Sequence, residues 1–305
     1  MATVNTAWDH ISSNIFKTWL TMFFFSIFTV GVVYVMARGM GYGEASGLSI
    51  VGISLIVVGI MNFALYFWSD KIVLGISGAK QIAKKDNPEL FRIVENLCIA
   101  SGLPTPKIYV LNDTATNAFA TGRDPKHAVI CFTTGILEKL NKQELEGVTA
   151  HELSHIGNRD TLLMSVVSVL VGTIALLGDW LMRSMWFGNH DNDRDSKSGS
   201  IFLVIAIIAA ILAPIIATLM QLAISRRREY LADASGVIIT RNPEGLASAL
   251  LKISDDKEPL EAANRGTAHL YIVNPLKGKD AKVFLASLFN THPPIADRVK
   301  ALRSM

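Results

Sequence analysis

The sequence predicts an α-helical integral membrane protein with four transmembrane helices and a cytoplasmic α+β domain built around a small mixed β-sheet. Three observations predict it. Uncharged runs long enough to cross a hydrocarbon core of about 30 Å occur in two separated parts of the chain. Between them lies a stretch of soluble composition whose apolar period switches from helical to alternating. Lys and Arg gather on one side of the runs. A 305-residue chain could hold two ordinary soluble domains, but 50% hydrophobic content and a mean hydropathy of +0.35 favour the bilayer.

Residues 1–70 read as an N-terminal transmembrane hairpin with spans at about 18–37 and 46–68. No residue between Lys17 and Arg38 is charged, and this first run reads as a retained anchor rather than a cleaved leader. The second run follows Glu44 and ends before Asp70, with Tyr66 and Trp68 where an aromatic belt belongs. The turn between them, Ala37 to Ser46, is glycine-rich.

Residues 71–160 form the first part of the cytoplasmic domain. Asn87-Pro88-Glu89 starts a helix that Gly102 and Pro104 end after about Ser101. Lys107 to Leu111, Asn117 to Thr121 and Ala128 to Thr133 alternate like short strands, separated by turn residues. Another helix follows Thr134-Gly135, and then one from Asn141 to Asn158. Residues 161–224 read as a second transmembrane hairpin, with spans at about 161–182 and 201–224. The polar stretch Gly188 to Ser200 divides them, and Pro214 kinks the later one. An amphipathic or buried hairpin is the alternative for this pair. Residues 225–305 complete the domain.

Lys and Arg set the orientation. The turns hold few, Arg38 in one and Arg194 with Lys197 in the other, whereas Ser69 to Lys85 is rich in Lys and Arg226-Arg227-Arg228 abuts the last run. Both termini and the globular part are therefore expected in the cytoplasm. A net charge of +3 gives no reason to expect nucleic acid as a partner. Cys98 and Cys131 lie in apolar surroundings without CxxC spacing, which reads as buried thiols.

His151-Glu152-Leu153-Ser154-His155 lies within the Asn141 to Asn158 helix. Residues four apart share a helix face, so two imidazoles can reach one metal while Glu152 addresses a water on it. That is the HExxH arrangement of zinc peptidases. A third ligand is needed, and the sixth place after His155 is Thr161, which cannot serve. Glu229 is the strongest candidate, because Asp233 follows one turn later and can hold the second nitrogen of a ligating imidazole. A hairpin from 161 to 224 would return the chain to the place it left, bringing Glu229 beside the histidines at the membrane face. Two imidazoles and one carboxylate suit Zn2+, one ion per chain.

Together with Ser225-Arg226, Asn117-Ala118-Phe119-Ala120-Thr121-Gly122, and Thr291-His292-Pro293-Pro294 with Asp297-Arg298, these motifs resemble the HtpX family of bacterial membrane metalloproteases, relatives of the CAAX prenyl proteases. The resemblance implies a gluzincin-like zinc endopeptidase of the bacterial inner membrane that removes damaged or misfolded membrane proteins under stress. It implies His151, His155 and Glu229 as zinc ligands and Glu152 as catalytic base. Asn117, Ala118, Phe119 and Ala120 then resemble an edge strand that takes an extended substrate by main-chain bonds, with an ordinary sheet strand as the alternative. His292 either donates to the oxyanion or merely starts a helix. Arg226 and Arg298 are candidates to fix carboxylates near the site, and Asn158 and Asp160 read as caps at the helix boundary. Two rival classes remain: a non-catalytic membrane scaffold with structural zinc, which needs a fourth protein ligand, and a metal transporter, which needs polar groups inside its spans.

Overall fold

The computed structural model describes residues 7–39, 44–172, 226–263, 267–273 and 293–305. Two long helices, α1 (Ala7–Gly39) and α2 (Glu44–Ser77), come first and pack on each other. Trp19 stacks on Tyr66 with centroids 5.4 Å apart, and Asn62 Nδ2 donates to Ser26 Oγ at 2.7 Å. Their outer faces carry exposed Phe16, Phe23, Phe24, Ile53, Ile60 and Phe63. Water would not tolerate so large an apolar surface on a monomer. Among the described residues, the stretch Ser49–Ser77, with hydropathy 2.3, is long and apolar enough to cross a membrane. The helix α2 runs unbroken through Asp70 and Lys71 to Ser77, so the expected boundary after residue 70 falls inside an element.

The globular part holds a four-stranded mixed sheet, β1 (Lys80–Gln81), β2 (Lys107–Leu111), β3 (Ala118–Thr121) and β4 (Val129–Thr133), in the order β1-β2-β4-β3. The β2 strand runs parallel to β4, whereas β3 and β1 pair antiparallel with β4 and β2. The sheet is small and mixed, as its sequence predicts, and β3 forms one edge. Thr133 N donates to Asn117 O, so the odd-numbered residues of this strand bond to β4 and the backbone of Ala118 and Ala120 faces away from it.

Between β1 and β2, α3 (Pro88–Ser101) begins with Pro in its first turn, where Asn87 accepts from the Leu90 amide, and ends at Gly102 with φ of 71°. After β4 come α4 (Thr134–Lys139) and α5 (Lys142–Gly157). Asn141 and Glu144 close a reciprocal capping box at the start of α5. The Glu144 carboxylate also takes Ser248 Oγ at 2.6 Å and Lys252 Nζ at 2.8 Å, which ties α5 to α8 (Pro243–Asp255). Gly147 allows that approach, since a Cβ there would stand 2.7 Å from the Leu246 amide nitrogen.

The chain leaves α5 through Arg159, whose φ of 58° is left-handed, and enters α6 (Asp160–Gly172). Leu162, Val166 and Leu170 of α6 pack with Met22, Phe25 and Leu65 of the first hairpin. The helix α6 is the start of the expected third span, and the rest of that span and all of the fourth lie outside the described residues. Next are α7 (Arg226–Thr240) and, after α8, α9 (Ile295–Arg303). The core joins Leu90, Ile93 and Leu97 of α3 to Ile130 and Phe132 of β4, Val148 and Leu153 of α5, and Leu246 and Leu250 of α8. Cys98 and Cys131 are free and buried within these layers.

Candidate active site

The α5 helix is buried over most of its length, which puts His151, Glu152 and His155 inside the protein rather than on its surface. The two imidazoles stand one turn apart, perpendicular, with Nε2 atoms 3.2 Å apart. The α7 helix lies against α5, and Gly236 permits it: a Cβ there would stand 3.2 Å from the His151 nitrogen. This brings in Glu229, whose Oε2 is 3.8 Å from His151 Nε2 and whose Oε1 is 3.6 Å from His155 Nε2. One ligand atom from each of the three residues lies within 4.8 Å of the others.

Each imidazole is aimed by a carboxylate. His151 Nδ1–H donates to Asp233 Oδ1 at 3.0 Å, and His155 Nδ1–H donates to Asp160 Oδ2 at 3.0 Å. Both Nε2 atoms are therefore turned toward Glu229, the direction a metal ligand needs. Arg298 is fully buried and forks onto Asp233, Nε to Oδ2 at 2.9 Å and Nη2 to Oδ1 at 2.6 Å. Its Nη1 lies 3.4 Å from Glu229 Oε2 and also donates to the Ile272 carbonyl at 3.3 Å. One guanidinium thus steadies both acidic side chains of α7.

The electrostatics follow from burial and neighbours. Burial, helped by the charge of Glu229, pushes the Glu152 carboxyl up to about 7 against the pull of His155, Arg298 and a backbone hydrogen bond with Ala120. Burial lowers His155, but the Asp160 hydrogen bond and the charges of Glu229, Asp160 and Glu152 outweigh it and hold that imidazole at about 9. His151 ends below its ordinary value, because burial and the Arg298 charge outweigh Asp233.

The profile of Peptidase family M48 matches residues 84–305. This chain belongs to peptidase family M48. A Protease HtpX homolog of Dictyoglomus thermophilum is 46% identical over 300 residues, covering 98% of this chain and 95% of that one. Another, from Pyrococcus furiosus, is 45% identical over 95% of each chain. The crystal structure of S. mikatae Ste24p superposes with a TM-score of 0.48 at 20% identity, over 94% of this chain and 66% of that one. As an M48 peptidase, the protein is a metalloprotease, and the apolar stretch Ser49–Ser77 makes it a membrane one.

The M48 family implies a metal, and the donor set fits one. Two donors bound tetrahedrally at about 2.0 to 2.1 Å sit roughly 3.3 Å from each other. The 3.2, 3.6 and 3.8 Å separations among the two Nε2 atoms and the Glu229 oxygens are of that size.

Other residues singled out in the sequence lie differently from expectation. Arg226 is exposed, and Arg228 is the arginine drawn inward, with Nη1 3.5 Å from Asp160 Oδ1. Asp160 is no simple cap, since it holds His155. The Asn117 to Ala120 edge is not fully open. Ile272 N donates to Ala118 O at 3.1 Å, Asn117 Nδ2 donates to the Val273 carbonyl at 2.9 Å, and Tyr271 packs edge-on against Phe119. His292 and the Gly188 to Ser200 stretch lie outside the described residues.

Proposed function

We propose that the protein is a zinc endopeptidase of the bacterial inner membrane that cleaves misfolded or damaged membrane proteins in stress-related quality control, with its active site and both termini in the cytoplasm. The observation that carries the catalytic part is the convergence of His151, His155 and Glu229 beside a buried Glu152 whose carboxyl stands near neutrality. His151 and His155 would hold zinc through Nε2 and Glu229 through its carboxylate, leaving a fourth position for water. Zinc, when bound, supplies a Lewis acid that polarises the scissile carbonyl and acidifies the attacking water.

The chain does the rest. Glu152 takes the water's proton on its carboxylate and passes it to the leaving amine, a role suited to a carboxyl that burial raises above its ordinary range. Asp233 and Asp160 keep the two imidazoles in the ligating tautomer. An extended peptide laid along β3 near Ala120 would meet Glu152 directly, because the Ala120 backbone already hydrogen-bonds that carboxyl. Membrane substrates are favoured by the packing of α6, which follows the HExxH helix after the turn at Arg159, against the apolar first hairpin.

Cleavage of a model membrane protein by the purified enzyme, in detergent with zinc, tests this reading. Glu152→Gln is expected to keep the fold and the metal while losing about 100-fold or more in rate. Cleavage at the parent rate would refute the assignment.

A further inference from the structure

Asn14 stands on α1, yet only 4% of it is exposed, because its side chain enters the junction between α5 and α6. Its amide nitrogen donates to Asp160 Oδ1 at 2.7 Å and to the Asn158 carbonyl at 2.9 Å. The other oxygen of Asp160 is the one that accepts from His155 Nδ1. The carboxylate is therefore held at both ends, by an imidazole on one side and, on the other, by the N-terminal helix at 2.7 Å with Arg228 Nη1 at 3.5 Å. Below this contact α1 is seated by Met22 and Phe25 against Leu162, Val166 and Leu170, so Asn14 is presented from a fixed element.

The chemistry of the residue suits the task. A buried amide costs free energy unless its hydrogens are used, and both hydrogens of Asn14 Nδ2 have acceptors here. An amide also donates without bringing a charge. It fixes the direction of Asp160 with a short, directed bond, whereas Arg228, whose Nη1 lies 3.5 Å from the same Oδ1, supplies charge from farther away.

We infer that Asn14 is a positioning residue of the metal site: through Asp160 it sets the direction of His155 Nε2, and so the N-terminal helix is part of the metal-binding unit rather than only an anchor. The inference rests on the reading of His155 as a zinc ligand. It predicts that metal affinity responds to a substitution on α1, far along the chain from every ligand.

The test uses the full-length protein in detergent, with zinc affinity read by competition against a chromophoric chelator. Asp160→Asn should weaken zinc by about 10- to 100-fold, the range for a group that orients a ligating imidazole, and Asn14→Leu by about 10-fold. The double variant should bind no more weakly than Asp160→Asn alone, because both act through one carboxylate. Ser26→Ala, which removes the Asn62 contact within the same hairpin, should bind zinc like the parent. Parent-like zinc affinity in Asn14→Leu overturns the inference, as do additive effects in the double variant or an equal loss in Ser26→Ala. Should Asn14→Leu fail to fold, Asn14→Ala in the same competition decides. His155→Ala separates the two readings. If it binds zinc like the parent, the ligand assignment itself falls; if it loses zinc while Asn14→Leu does not, only the role of Asn14 falls.

Discussion

Arg298 carries more at the scale of single residues than its place in the sequence announces. It is wholly buried and donates twice to Asp233, so removing it would leave a buried carboxylate with its charge uncompensated. Breaking such a pair costs about 3 to 5 kcal/mol. Arg298→Met is expected to lose about that much in equilibrium unfolding in detergent; a loss under about 1 kcal/mol, the worth of an exposed pair, would contradict the account. The pairing of Glu229 with Asp233 was legible from spacing, because residues four apart on a helix present one face. Asp160 was not. It follows a left-handed Arg159, a conformation that costs a non-glycine residue about 1 to 2 kcal/mol and that no helical period anticipates. The turn at Arg159 ends the HExxH helix and folds the next carboxylate back onto His155. The approach of Arg228 to Asp160 depends on that turn and carries no spacing signal of its own.

Glu144 matters at the scale of elements, because one carboxylate caps α5 and also clasps α8. Burial would raise its pKa, but Lys252, Ser248 and the Asn141 amide more than offset that and hold it below the ordinary carboxylate range. A group depressed in the folded state adds stability at pH above its unfolded value, about 4.3 for Glu, and loses it as pH falls through the folded value. The difference in thermal stability between the parent and Glu144→Gln is therefore expected to be widest near pH 7 and to close below about pH 4. A difference that does not change with pH would remove Glu144 from this role. Sequence periods gave α3 and α5 nearly to the residue, since proline, glycine and asparagine mark their ends. They missed β1, because two residues are too few to show alternation. They do not show that the β3 edge is partly covered, because Ile272 reaches Ala118 from far along the chain.

The whole molecule poses the question of which side each part occupies. Sequence composition predicts two apolar helices at the start of the chain; α1 and α2 pack on each other, and Ser49–Ser77 is the stretch among the described residues long and apolar enough to span. Where the membrane ends was less visible, because α2 continues as one helix past Asp70. The proposed orientation puts the α1–α2 turn outside the cytoplasm and Lys85 inside. Both native cysteines are buried, so single introduced thiols can be read against a quiet background. Ser46→Cys is expected to react with an impermeant maleimide added to intact spheroplasts, and Lys85→Cys only after lysis. The reverse pattern would invert the topology.

All of this depends on the helices α5 and α7 meeting so that His151, His155 and Glu229 close on one ion. Zinc content of the purified protein, measured for the parent, Glu152→Gln, His155→Ala and Glu229→Ala, tests that meeting most directly. The account predicts a single zinc per chain in the first two and almost none in the last two. Full zinc occupancy in Glu229→Ala, in a variant that still folds, would contradict it.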